Sequence, residues 1–253
     1  TLDGAASEIP FRIADDRDVI DAPRPAIEVA PATIKTTIPR FATVSPDGRT
    51  VVFETLGKLW VKSLPNGAPK RLTGSSDSRE LFPSFSQDGR RIVYVSWTDD
   101  GLGTIRVTSA GGGAGSAVTK TPGIYRRPRF SPDAKTIVFE KSASGYLLSD
   151  RYGESPGVYR IAASGGAMIK VVDSGSNPHF ANDNSRIFMQ VREDNKTKLI
   201  SVGMNGEDKR VHASGDLLTD YQVSPDGKHL AFRENWAAYV MPMAPRSVGH
   251  ASP

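Results

Sequence analysis

Four histidines, His179, His212, His229 and His250, are the side chains of this 253-residue chain best suited to metal binding or to proton transfer near neutral pH. They stand far apart, with neither a His-x-His pair nor a His-Glu-x-x-His motif, so their spacing builds no zinc or binuclear centre. Cysteine is absent, which excludes thiolate chemistry and disulfides. No Gly-x-Ser-x-Gly elbow presents a serine nucleophile. The acidic neighbours Asp15-Asp16 and Asp99-Asp100 are adjacent in loops and say little about acid–base catalysis. Residues 111–116 (GGGAGS) fail the dinucleotide fingerprint because Ser116 stands where its last glycine should, and they read as a turn.

Aspartate recurs with a regular period. Ser45-Pro46-Asp47-Gly48, Ser86-Gln87-Asp88-Gly89, Ser131-Pro132-Asp133-Ala134, Ala181-Asn182-Asp183-Asn184 and Ser224-Pro225-Asp226-Gly227 place their aspartates 41, 45, 50 and 43 residues apart. Proline sets φ for the second position of a type I turn, aspartate suits the third, and glycine takes the left-handed conformation that releases the next strand. A carboxylate repeated at the same turn of every unit points to local hydrogen bonding before it points to a metal ring. Asn184 tolerates positive φ. Ala134 is expected either to cost on the order of 1 kcal/mol there or to sit in a different turn.

These turns must belong to hairpins. After each comes a short run rich in β-branched and aromatic residues, at 50–54, 91–95, 136–140, 186–190 and 229–233. A further strand is expected at 58–63, 104–108, 158–162, 198–202 and 238–241, then a second glycine turn, then a fourth strand such as 69–73 or 167–172. Four short antiparallel strands in a period of roughly 40 to 45 residues is the blade of a β-propeller. The expected fold is therefore all-β, with four complete blades and a partial fifth. Residues 39–242 hold the blades, 1–38 form an extended arm with at most one closing strand near 34–38, and 243–253 form a tail. A ring left open would expose two sheet edges, so additional sequence, another chain or a second copy is expected to complete it.

Composition narrows the partners. No apolar run approaches ~18 residues, so no membrane span is expected. The net charge of +4 divides unevenly, with −4 in residues 1–30 and +8 in the remainder. Lysine and arginine are scattered over all units without an aromatic-interleaved stripe, which argues against nucleic acid. The first residue is Thr1, which reads as a processed or trimmed start.

Candidate sites follow from blade geometry. On the innermost strands, Thr43, Ser84, Arg129, His179 and Gln222 share one side by alternation and are expected to line a central channel. The end of the ring opposite the Ser-Pro-Asp-Gly turns carries most of the length variation. There, residues 142–156 present Tyr146, Asp150, Arg151 and Tyr152, and residues 97–103 present Trp97, Asp99 and Asp100. For channel and loops alike, plain solvated surface is the alternative.

The repeat Pro-x-Phe-Ser-Pro-Asp, as in Pro128-Arg129-Phe130-Ser131-Pro132-Asp133, resembles the WD-repeat-like propeller module of the TolB group. Residues 57–72, 82–97, 157–166 and 223–240 are similar to the propeller part of TolB-like amidohydrolases. That resemblance implies the non-catalytic part of a metal-dependent hydrolase acting on amide or related C–N bonds. It would scaffold a separate barrel and gate substrate access, with the metal, zinc by analogy, held only in that barrel. No residue here matches the barrel's His-x-His motif, so no catalytic residue is carried over. Two alternatives stay open: a stand-alone periplasmic or extracellular interaction module, and an enzyme with a channel site of its own, for which Arg129 and His179 come first. Partners implied are an amidohydrolase barrel or a second chain, with an oligomer as a further possibility.

Overall fold

The structure is a computed structural model that describes residues 4, 8–26, 28–29, 31–142 and 154–243. It divides into two units, Thr1–Lys35 and Thr36–Pro253. The described residues of the first form neither helix nor strand. Residues 34–38, where the closing strand was expected, form no strand, and the first strand of the second unit begins at Arg40.

Among the described residues nineteen strands build five antiparallel sheets, each formed of strands consecutive in the chain. Blade 1 is β1 (Arg40–Val44), β2 (Thr50–Thr55), β3 (Lys58–Ser63) and β4 (Lys70–Arg71). Blade 2 is β5 (Arg79–Phe85), β6 (Arg91–Thr98), β7 (Leu102–Ser109) and β8 (Ser116–Ala117). Blade 3 is β9 (Tyr125–Phe130), β10 (Thr136–Lys141), β11 (Gly157–Ala162) and β12 (Ile169–Val172). Blade 4 is β13 (Ser176–Phe180), β14 (Arg186–Glu193), β15 (Lys196–Gly203) and β16 (Arg210–Gly215). Blade 5 has, among the described residues, three strands: β17 (Leu218–Val223), β18 (His229–Glu234) and β19 (Ala237–Pro242).

The turn between first and second strands is locked by its own side chains. In blade 1 the Ser45 hydroxyl donates to Asp47 at 2.6 Å and accepts the Thr50 N–H at 2.9 Å, while Asp47 accepts the Arg49 N–H at 3.1 Å. Blades 2, 3 and 5 repeat this network. The aspartates are thus committed to the turn, and the serine hydroxyl holds Asp47, Asp88, Asp133 and Asp226 below the usual carboxylate range. Ala134 does adopt the left-handed conformation, with φ 54°. Asn184 does not; its side-chain oxygen instead accepts the Asp133 N–H of the neighbouring blade at 3.2 Å.

Burial follows the two-residue period of the second strands. Ile92 and Tyr94 pack with Val52, Leu59 and Leu72 of blade 1, whereas Val93 and Val95 pack with Ile137 and Phe139 of blade 3. Val138 and Val158 meet Ile187 and Met189 of blade 4, and Phe188 and Leu199 meet Leu218, Tyr221 and Leu230 of blade 5. Each central sheet is therefore apolar on both faces, as its sequence runs require.

The inner strands neighbour one another in the order β1, β5, β9, β13, β17 around a common channel. Among the described residues no hydrogen bond joins blade 5 to blade 1. On the side of blade 5 away from blade 4, Ala231, Arg233 and Val240 are exposed, Val240 by 72%. Among the described residues the outer edge of β19 pairs with no strand. The ring thus has a seam, bounded by a three-stranded sheet.

Candidate functional site

Each inner strand bulges at the same place. The register to the second strand shifts between Arg40 and Thr43, Leu81 and Ser84, Ser176 and His179, Thr219 and Gln222, and opposite Val138 and Glu140 in blade 3. A non-glycine residue with positive φ sits in every one: Phe41, Phe82, Arg127, Asn177 and Asp220. Such left-handed residues cost on the order of 1 kcal/mol each and re-aim the strand's side chains.

Two residues beyond each of them stand Thr43, Ser84, Arg129, His179 and Gln222, one from each blade, and all five line a cavity of about 460 Å³. It lies toward the Ser-Pro-Asp-Gly turns, since Pro46, Pro132 and Pro225 also border it. A second cavity, of about 390 Å³, lies toward the opposite end and is bordered by Phe41, Phe82, Arg127 and Asn177. Thr43, Arg129, Asn177 and Gln222 border both and mark the waist between them. Among the described residues no aspartate or glutamate lines either.

Arg129 dominates the waist. Its Nη1 donates to Ser84 Oγ of the adjacent blade at 3.1 Å, and among the described residues no carboxylate pairs with it. Enclosure by protein, and then the charge of Arg127, push its pKa down. Arg127 is itself balanced by Glu140 at 3.2 Å, and Glu140 also accepts the Asn177 N–H at 2.6 Å.

His179 is held as a neutral ring. Its Nε2 accepts the Val223 N–H at 3.1 Å, which leaves the proton on Nδ1, donated to the Asn177 carbonyl at 3.0 Å. Burial pushes its pKa down to about 4, outweighing the Asn177 bond that favours the charged form. Both nitrogens are therefore engaged, Nε2 in tying blade 4 to blade 5 and Nδ1 within its own strand. The ring packs against Tyr221 and Phe188, with centroids 5.4 and 6.0 Å away.

The described loop candidates lie apart from this channel. Trp97 Nε1 donates to Asp99 at 3.1 Å in the β6–β7 hairpin, with Asp100 exposed at its tip, and none of the three borders either cavity. Tyr146, Asp150, Arg151 and Tyr152 lie outside the described residues. Sequence reasoning missed Asn177, Arg127 and the Phe41–Phe82 pair, whose rings lie 4.3 Å apart, because nothing in residue type announces a left-handed phenylalanine or arginine. It also missed a serine–histidine contact, Ser201 Oγ to His212 Nε2 at 2.7 Å. That pair does no chemistry: Ser201 is fully buried and its oxygen takes the Arg186 Nε–H at 2.9 Å. Among the described residues no three histidine or acidic side chains are grouped to hold a metal ion.

The TolB beta propeller domain family matches residues 42–240, the whole blade region from the first inner strand to the last outer one. The chain belongs to that family. A curated TolB relative, the Tol-Pal system protein TolB of Francisella tularensis subsp. mediasiatica (strain FSC147), is 31% identical over 96 residues, which is 38% of this chain and 20% of the relative. This TolB-type propeller thus spans in the alignment about a fifth of the curated relatives it matches. Among solved structures, a putative TolB from Agrobacterium tumefaciens aligns with TM-score 0.68 at 16% identity, covering 81% of this chain and 77% of that one. An oligogalacturonate lyase in complex with manganese aligns with TM-score 0.61 at 13% identity, covering 79% and 60%. At such identities the structural likeness speaks for the fold alone.

Proposed function

We propose that this propeller is a non-catalytic binding and scaffolding module that works by docking another polypeptide region at the seam between blades 5 and 1. The observation that carries the reading is His179. The channel's one candidate general base has both nitrogens engaged in backbone hydrogen bonds, so it neither ligates a metal nor takes a substrate proton without breaking the blade 4–5 joint. The open edge of β19 and the exposed Trp236 and Val240, 96% and 72% accessible, supply a surface for strand addition.

The docked region is a metal-dependent amidohydrolase barrel in the version favoured by residues 57–72, 82–97, 157–166 and 223–240, with the metal held in the barrel. The second version is an envelope interaction module in the periplasm, and the curated TolB relatives favour it. A photo-cross-linking residue at Val240, followed by native purification and intact-mass measurement, tests the shared claim. One polypeptide region cross-linked in stoichiometric yield is expected, and its sequence separates the two versions. A lone monomer without cross-links, or chelator-resistant turnover by this chain alone, would overturn the reading.

A further inference from the structure

We infer that the waist of the channel is a binding site for a carboxylate monoanion, received by the Arg129 guanidinium. The inference goes beyond the docking role and does not require a partner. Its first ground is charge. Arg127 is neutralised by Glu140, His179 is a neutral ring, and neither cavity is bordered by an acidic side chain, so one positive charge at Arg129 stands uncompensated. Arg129 is half-buried where it faces the channel, so part of the water that would solvate its charge is already displaced and an anion there meets a partly desolvated cation.

The second ground is geometry. Arg129 uses one N–H on Ser84, which leaves the rest of a planar fork of donors for an anion. Around the same waist stand the Thr43 hydroxyl and the Gln222 amide, both able to donate to an oxygen, while the Asn177 amide already gives one N–H to the Tyr221 carbonyl. The third ground is the wall. Phe41 and Phe82 border the cavity on one side of Arg129, so a carbon stem attached to the carboxylate finds an apolar surface. A single unit charge and a planar fork match a carboxylate; a phosphate dianion would be left with half of its charge unpaired.

Thermal denaturation of the full chain in acetate, phenylacetate, phosphate and chloride, all at equal ionic strength, tests the site. Each carboxylate should raise the wild-type midpoint above the chloride control, by about 3–6 °C at ten times its Kd, with phenylacetate binding more tightly than acetate. R129Q should lose that excess shift. S84A, which keeps the guanidinium, should retain it and keeps the test valid should R129Q fail to fold. No excess shift in the wild type, an equal shift in R129Q, or a phosphate effect matching that of acetate would overturn the site.

Discussion

At the scale of single residues, the turn serine contributes more than its aspartate. Ser86 is fully buried, and its hydroxyl is the acceptor for the Arg91 N–H at 3.0 Å. Ser86→Ala should therefore cost about 1–3 kcal/mol by leaving that donor unpaired, measured by denaturant unfolding. Ser224→Ala, at a half-buried copy of the same turn, should cost less than about 1 kcal/mol. His179 makes a second prediction. Its folded pKa of about 4 lies below the ordinary 6.5, so the unfolded chain takes up the proton first. Its contribution is full above pH 6.5 and is lost as pH falls toward 4, at most about 3 kcal/mol. His212, also pushed down by burial, adds in the same direction. The turn aspartates act only below the ordinary carboxylate value of 3.8, so the two windows separate. His179→Gln should flatten the slope of unfolding stability between pH 6.5 and 4 without removing it; an unchanged slope would show that the ring is not the group responsible. The serine and aspartate pattern was legible in sequence because turn chemistry is local. The left-handed Phe41 and Phe82 were not, because their conformation is imposed by the bulge against the neighbouring strand.

At the scale of elements, the second and third strands were all legible, although β6 and β14 run three residues beyond the expected 91–95 and 186–190. Residues 58–63 coincide with β3, and 136–140 fall within β10, because two-sided burial demands unbroken apolar runs. The fourth strands were harder to place. β4 and β8 are two residues long, too short for any periodicity to register. The closing strand suggested near 34–38 forms no pairing, and blade 5 keeps an open edge. This edge makes the element-scale prediction. Val240→Lys should leave the melting temperature within about 2 °C, since the side chain is 72% exposed. It should also weaken any concentration-dependent association of the isolated chain in sedimentation velocity, because a charge at an open edge disfavours strand addition. Association unchanged by the lysine would place the sticky surface elsewhere.

At the scale of the whole ring, cohesion passes from blade to blade through paired devices. Lys58 of blade 1 donates to the backbone carbonyls of Ser75, Ser76 and Ser78 in the link to blade 2. Arg91 reaches Ala134, Arg160 reaches Met204, and Asn177 reaches Tyr221. Nothing comparable is made from blade 5 to blade 1 among the described residues, although Phe53 and Trp60 of blade 1 turn away from blade 2 toward that side. The short fifth blade was foreshadowed in the sequence, where a fifth turn motif is followed by two strands and no legible further one, and among the described residues it has three strands. A partner for the seam is not something this sequence could show, because half of any interface is written in the other polypeptide. Hydrogen–deuterium exchange over β17 to β19, in the isolated chain and in natively purified material, tests the central claim most directly. The β19 amides should exchange at least about tenfold faster in the isolated chain than in native material, while those of β10 and β11 stay equally protected in both. Protection of β19 in the isolated chain equal to that of β11 would contradict the account, as would identical β19 exchange in the two preparations.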